Sequence, residues 1–315
     1  MGADPGLGAL ELISSRRNPL VGQLRALHQG RGRRDQQRLL LEGTHLLQEV
    51  LRLGLRPDWL LASAAWLDGH AQLLTQLRQG ADPAGASTLQ LRVVSEEVLG
   101  AVATTAHPDG VVLTLPLNQL PQPRAWPAGD GQPGDRPGTR TQAARVAGLV
   151  LALDRLQDPG NLGTLLRCAL AAGVEEVWLA GGADPHQPKV LRASAGAALA
   201  LPLRRLPDLA PALYQATGEG CQVVATVVPP PGERSGAGSG GTSGQPAAVR
   251  PYWQLDWGLP TVLLLGNEGA GLDPALIALA SERVTIPHSP AVESLNVALA
   301  AAPLLLERWR QRLGG

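Results

Sequence analysis

Two rhythms of apolar positions alternate along the second half of the chain. Short unbroken runs predict buried strands: GLVLALDR (148–155), VEEVWLAGG (174–182), CQVVATVV (221–228), TVLLLG (261–266) and RVTIP (283–287). Between them lie longer stretches with helical spacing: LGTLLRCALAAG (162–173), QPKVLRASAGA (187–197), APALYQATGEG (210–220) and a C-terminal helix from Asn296 that contains Pro303. Strands alternating with helices predict a mostly parallel sheet covered on both faces. The first half repeats the rhythm on a smaller scale. RLLLEG (38–43) and DWLLAS (58–63) read as strands around a helix THLLQEVLRLG that ends in Gly54, and LRVVSEEVLGAVATT leads on to a strand, GVVLTLPL. Leu20, Leu24 and Leu27 share one helical face.

Two stretches have no periodicity. Residues 118–144 are rich in Pro, Gly, Gln and Asp and read as a flexible linker. They divide the chain into a small α/β domain over 1–117 and a larger α/β domain over 145–315. A second tract, about 229–249, interrupts the larger domain and reads as a disordered surface insertion, because loop length adds little closure entropy.

Composition narrows the function classes. Formal charge balances at zero, so no global field favours nucleic acid or membrane. Phe is absent and Lys189 is the only lysine, while Ala, Gly, Pro, Arg and Leu dominate, the mark of GC-rich codons. Arginine therefore counts only where it clusters. It does so from Arg16 to Arg38, with seven arginines against one acid, Asp35. Arg16, Arg17, Arg31, Arg33 and Arg34 are candidate phosphate contacts for RNA; a solvated N-terminal helix is the plainer alternative. Cys168 and Cys221 sit among apolar residues, as core thiols do. The six histidines show no metal-ligand spacing, so no metal is expected. The chain shows neither a secretory signal nor a run of membrane-spanning length, and a cytoplasmic location is expected.

The candidate chemistry begins at VLLLGNEGAGL (262–272), a strand running into a glycine turn, where α/β sheets bind ligands. Gly266 and Gly271 have P-loop spacing, but Leu272 stands where that loop needs lysine. Gly269 and Gly271 begin a dinucleotide fingerprint, but Pro274 replaces its third glycine. An ordinary turn capped by Asp273, with Pro274 opening a helix, remains open. So does a reading of Asn161 as a helix cap and Arg167 as a surface arginine, and of Ser294 as a cap for the last helix.

Three segments in this order, D-P-G-N-x-G-x-x-x-R (158–167), L-G-N-E-G-x-G-L (265–272) and I-P-x(6)-S-L-N-V (286–297), resemble the SpoU-type (TrmH-like) RNA 2′-O-ribose methyltransferases. The likeness covers 145–315 closely and the first half more loosely, as a substrate-binding domain. It implies a trefoil-knotted α/β fold, a homodimer, and transfer of methyl from S-adenosyl-L-methionine to a ribose 2′-hydroxyl of structured RNA, ribosomal RNA ahead of transfer RNA. It also implies a cofactor pocket built from backbone at Leu265, Gly266, Ile286 and Leu295, with Gly271 in the turn and Thr226 flanking. Arg167, Asn161, Glu268, Ser294 and Asn296 become the active-site groups. Arginine is a poor general base, so Arg167 is expected to grip a phosphate and face the developing alkoxide, with a substrate phosphate or Glu268 taking the proton. Glu268 is expected to orient Asn161 or Arg167. Three positions depart from the family pattern: His288 where methionine is common, Ala298 for a serine and Pro303 for a glycine. The rival classes are a non-catalytic RNA-binding protein that keeps the scaffold, and a base methyltransferase.

Overall fold

The structure, a computed structural model, describes residues 12–79, 89–124, 148–228 and 248–313. Most of the expected linker and nearly all of the expected insertion lie outside the described residues. The chain forms two compact units. One comprises Met1–Leu120 and Asp184–Ala200; the other comprises Pro121–Ala183 and Leu201–Gly315. The helical stretch QPKVLRASAGA, read above as part of the larger domain, thus groups with the first unit.

The first unit runs β1 (Leu12–Ile13), α1 (Pro19–Ala26), α2 (Gly30–Gln36), β2 (Arg38–Glu42), α3 (Thr44–Arg52), β3 (Trp59–Ala62), α4 (Ala64–Gly69), α5 (Ala71–Gln79), β4 (Gln90–Val94), α6 (Glu96–Val102) and β5 (Val111–Pro116). Its sheet has the order β1-β4-β3-β5-β2, with β5 antiparallel to both neighbours. Asn18 caps α1 through Leu20 N–H, and Pro19 opens the helix. Val21, Leu24 and Leu27 pack with Val98, Leu99 and Val102 of α6 in one apolar cluster. Leu20, expected on that face, is only half-buried and flanks it.

The second unit and the segment 184–200 continue with β6 (Leu149–Asp154), α7 (Pro159–Ala171), β7 (Glu176–Ala180), α8 (Pro188–Ala193), α9 (Ala197–Ala200), β8 (Leu203–Leu206), α10 (Ala210–Gly218), β9 (Gln222–Thr226), β10 (Val249–Pro251), β11 (Thr261–Leu265), α11 (Pro274–Leu279), β12 (Glu282–Thr285) and α12 (Val297–Leu313). Seven strands form one sheet, β10-β12-β9-β11-β6-β7-β8, and every pairing in it is parallel. β6, β7 and β11 are buried at every position, which is why they read as unbroken apolar runs. Alternate residues Val150, Ala152, Val223, Ala225, Val262 and Leu264 share one core with Leu213 of α10 and Leu276 of α11. α12 packs against α7. The strand order reverses at β6 and β11: β7 and β8 lie on one side, β9, β12 and β10 on the other. Ligands of open parallel sheets bind outside the carboxyl ends of the strands at such a switch.

Candidate active site

A cavity of about 760 Å³ opens at that place. Its walls are the chain just past β9 (Thr226–Val228), the turn past β11 (Leu265–Leu272), the chain past β12 (Thr285, Ile286 and His288), Asn161 of α7, and the loop that leads into α12 (Glu293–Val297). Ten of the eleven residues expected to act in catalysis or hold cofactor therefore line one space: Asn161, Thr226, Leu265, Gly266, Glu268, Gly271, Ile286, Ser294, Leu295 and Asn296.

Arg167 is the exception. It is exposed on α7, and its side chain makes no hydrogen bond or ion pair among the described residues. Six residues along an α-helix place it about 9 Å up the axis and about 120° round from Asn161.

The polar groups of the cavity form a chain. Both oxygens of Glu268 face the turn past β6: Oε2 accepts from Gln157 N–H (3.1 Å), and Oε1 accepts from Asp158 N–H (3.0 Å) and from Asn161 Nδ2 (3.3 Å). Asn161 Oδ1 in turn accepts from Asn296 Nδ2 (2.9 Å). Glu268 thus orients Asn161 and makes no contact with Arg167. Partial burial pushes the Glu268 carboxyl up, but the N–H groups of Gln157 and Asp158 and the Asn161 amide outweigh it, so the carboxylate is held below its usual range. A carboxylate with three donors is a poor proton acceptor at neutral pH.

Two caps differ from the sequence reading. The N-cap of α7 is Asp158, whose Oδ1 accepts from Asn161 N–H (2.7 Å), with Pro159 at the first helical position. Asn161 lies inside the first turn, which frees its side chain for Glu268 and Asn296. The start of α12 is capped by Asn296, whose Oδ1 accepts from Ala298 N–H (2.9 Å) and Leu299 N–H (3.2 Å). Ser294 is exposed in the preceding loop, and Leu295 is 39% exposed, so core packing does not explain it.

The glycine turn is ordinary and special at once. Asp273 caps α11 through Ala275 N–H and Pro274 opens that helix, as the plain reading held. Asn267 and Gly271 exchange two backbone hydrogen bonds of 3.0 Å. Asn267 Oδ1 accepts from Gly269 and Ala270 N–H, and its Nδ2 donates to the carbonyl of Arg155. Asn267 therefore builds the turn, while Glu268 serves the cavity. A Cβ on Gly266 would stand 2.2 Å from Gly271 C and Leu272 N, so only glycine lets the two arms of the turn meet there. Gly271 has φ +69°, the left-handed region. Arg155 also has a positive φ, +53°, and its guanidinium pairs with Asp154 and Asp273, tying the two turns together.

Sequence reasoning missed Glu293, which also lines the cavity. Its place immediately before Ser294-Leu295-Asn296 was the available signal. The Asp158-Pro159 pair was a similar signal for the α7 cap.

In the first unit the arginine cluster splits. Arg33 is 4% exposed: its Nη1 donates to the carbonyls of Leu27 and His28, and its Nη2 pairs with Asp184 at 2.6 Å. It serves the interior and drops out of the expected phosphate contacts. Arg17 and Arg34 are exposed; Arg16 pairs with Glu97 and Arg31 with Asp35 at the surface. Cys168 and Cys221 are free thiols, and burial pushes Cys221 up to about 11. Among the described residues there is no group of side chains that could hold a metal ion, and no helix is long and apolar enough to cross a membrane.

Residues 148–306 match the SpoU rRNA methylase family, and residues 18–113 match an MRM3-like substrate binding domain. The chain is 40% identical over 95% of its length to an uncharacterized tRNA/rRNA methyltransferase of Synechocystis, covering 94% of that protein. It is 29% identical over 94% of its length to the 23S rRNA (guanosine(2553)-2′-O)-methyltransferase RlmP of Bacillus subtilis, covering 98% of it. Among solved structures, the AdoMet-bound rRNA methyltransferase of Sinorhizobium meliloti superposes with a TM-score of 0.69 at 28% identity, over 96% of this chain and 98% of that one. With a seven-stranded parallel sheet, a cavity at its switch point and the three motifs lining that cavity, the chain belongs to the SpoU rRNA methylase family.

Proposed function

We propose that this chain transfers a methyl group from S-adenosyl-L-methionine to a ribose 2′-hydroxyl of structured RNA, ribosomal RNA in the first instance, within the cytoplasm. The observation that carries the reading is the hydrogen-bonded chain Glu268–Asn161–Asn296 on the wall of the cavity past β11. The relative from Bacillus subtilis, a 23S rRNA 2′-O-methyltransferase, supports the choice of atom and of RNA.

The residues present fit the methyl donor. The cavity falls within the roughly 300–1,000 Å³ of small-ligand sites. Thr226 Oγ1, on the cavity wall, is buried with no hydrogen-bond partner among the described residues, a costly arrangement that a polar ligand atom relieves. Gly266 lets the two arms of the turn past β11 meet, and Gly271 leaves open space beside them, so we assign the backbone of Leu265, Gly266, Ile286 and Leu295 to face an adenosine. When bound, S-adenosylmethionine supplies an electrophilic methyl on a sulfonium. Glu268 holds Asn161, and Asn161 holds Asn296, so the entry to the cavity has a fixed polar wall. The Arg167 guanidinium grips the phosphate beside the target ribose and faces the developing alkoxide. Because Glu268 is already committed to three donors, the substrate phosphate is the better proton acceptor.

The same reading includes a homodimer and, as the resemblance implies, a knotted chain. Leu299, Leu306 and Leu313 are 71%, 47% and 79% exposed and recur every seventh residue of α12, one stripe on the helix surface. Leu170 of α7 is exposed too, three residues from Arg167 and on the same face. A second copy covering this stripe would set each Arg167 at the seam.

The test is direct. Purified protein, labelled methyl donor and RNA from a strain lacking the gene are incubated, and the digested RNA is resolved by mass spectrometry. A 2′-O-methyl nucleoside is expected. A methylated base, or label absent from ribosomal RNA, would overturn the corresponding part of the reading.

A further inference from the structure

His288 is the cavity's one imidazole among the described residues, and the wall chemistry described so far gives it no role. Its Nδ1 lies 2.7 Å from the carbonyl oxygen of Ile286, two residues back. A carbonyl only accepts, so Nδ1 carries the proton and donates it. The neutral ring therefore has its lone pair on Nε2. Protonation adds a hydrogen there and a full positive charge, without disturbing the bond that fixes the ring. Imidazole is the side chain whose ordinary pKa puts this change near neutrality.

We propose that His288 is a specificity-determining residue which, once protonated, disfavours a cationic methyl donor relative to the neutral product left after transfer. This rests on the reading of the cavity as a methyl-donor site. The chemistry is one of charge. The donor carries a sulfonium; transfer of its methyl leaves a neutral thioether, while the amino, carboxylate, ribose and adenine groups are unchanged. An imidazolium in the same cavity repels the sulfonium and has no such quarrel with the thioether. Among the described residues, the other titratable groups on the cavity wall are Glu268, from the turn past β11, and Glu293, from the loop before α12. Glu268 is held ionised by Gln157, Asp158 and Asn161 and points its oxygens at the turn past β6, so it does not follow the imidazole's titration. Glu293 attracts donor and imidazolium alike and weakens the effect by screening. A sphere of 760 Å³ is about 11 Å across; two unit charges about 8 Å apart at an effective dielectric near 40 change a binding constant by about fivefold.

The experiment is calorimetric binding of S-adenosylmethionine and S-adenosylhomocysteine to the full-length protein at pH 8 and pH 5.5, with wild type and His288→Asn. Asparagine keeps an N–H near the Nδ1 position and does not titrate in this range. For wild type, the ratio of the donor's Kd to the product's Kd should rise about fivefold on acidification; for His288→Asn it should stay level. Ligand groups common to both molecules cancel in that ratio. Wild type alone provides a second readout: the imidazole's NMR titration midpoint should lie about 0.7 pH unit lower in the donor complex than in the product complex, the same fivefold by linkage. A ratio that does not change with pH in wild type, an equal rise in the asparagine variant, or equal midpoints in the two complexes would overturn the role of His288. Failure of both ligands to bind wild type at pH 8 would instead remove the methyl-donor reading itself.

Discussion

Gly266→Ala adds one carbon atom and should abolish the cavity. The added Cβ would sit 2.2 Å from Gly271 C and Leu272 N, where 3.4 Å is the beginning of ordinary contact. The backbone must therefore open by about 1.2 Å, and the obstacle is backbone, which has no rotamer to escape into. The two 3.0 Å hydrogen bonds between Asn267 and Gly271 close this turn and are the first to go. At about 1 kcal/mol net each, plus overpacking strain of about 1–3 kcal/mol, the substitution costs about 3–5 kcal/mol. The neighbouring glycines set the scale. Alanine at Gly269 meets only Asn267 Oδ1 at 3.6 Å and should be nearly neutral. Alanine at Gly271 has open space but a φ of +69°, which costs about 1–2 kcal/mol. Thermal unfolding and calorimetric cofactor binding on the three variants should rank Gly266→Ala as far the worst, Gly271→Ala as intermediate and Gly269→Ala as close to wild type. Gly266→Ala with a melting temperature and cofactor Kd matching wild type would refute the close-approach argument.

Four further outcomes follow from the same geometry. Arg167→Ala should lower single-turnover methylation by roughly 10²–10³ while leaving cofactor Kd within about twofold, because Arg167 is off the cavity wall; Arg167→Lys should recover part of the rate with the pH profile unshifted. Arg34→Ala should weaken RNA binding and flatten its salt dependence with no change in melting temperature, whereas Arg33→Ala should cost about 3 kcal/mol of stability by removing a buried guanidinium from its ion pair with Asp184 and its bonds to the carbonyls of Leu27 and His28. If the proposed homodimer forms through α12, Leu306→Glu should convert it to a monomer in light scattering without lowering helix content, since Leu306 is 47% exposed in the single chain. The Glu268 carboxyl is held low in the fold, so its contribution is complete above the ordinary glutamate pKa of about 4.3 and is lost as pH falls through the depressed value; the melting-temperature gap between wild type and Glu268→Gln should be level from pH 8 to 5 and close only below that point.

The parts of the fold that could be read from the sequence are those buried on both faces. β6, β7 and β11 are buried at every position, so nearly every side chain is apolar and the runs announce themselves. β8 and β10 are edge strands, half-buried and carrying arginine, and their sequences LRRL and VRP have no run to find. β1 is two residues long and exists only through its pairing with β4. The helical spacing of QPKVLRASAGA was legible, but spacing says nothing about which unit a helix joins. That is decided by partners distant in sequence, such as Glu42, whose carboxylate accepts from Thr104, Thr105 and Arg192.

The candidate site was legible by motif and only partly by chemistry. Local chemistry misassigned both caps, because Asn161 and Ser294 are good capping residues by type and each could claim the role. The structure resolves the choice through supply of donors. Asp158 already satisfies the first turn of α7, so Asn161 is free to bridge Glu268 and Asn296; Asn296 uses its Oδ1 for the cap and its Nδ2 for the bridge. The arginine cluster fails in the opposite direction. Density of like charge suggested a solvated, phosphate-seeking face, yet Arg33 is turned inward, where three acceptors wait for it. A count of charges along the chain cannot register this, since the acceptors are two backbone carbonyls that carry no charge and an aspartate 151 residues away. The same asymmetry explains why Glu268 and Asn267, adjacent and both polar, divide their work. Asn267 has a donor and an acceptor and can close a turn on itself and on Arg155, whereas a carboxylate only accepts and must look outward for N–H groups. Exchanging the two residues would therefore lose both functions while leaving composition, charge and hydrophobic pattern unchanged.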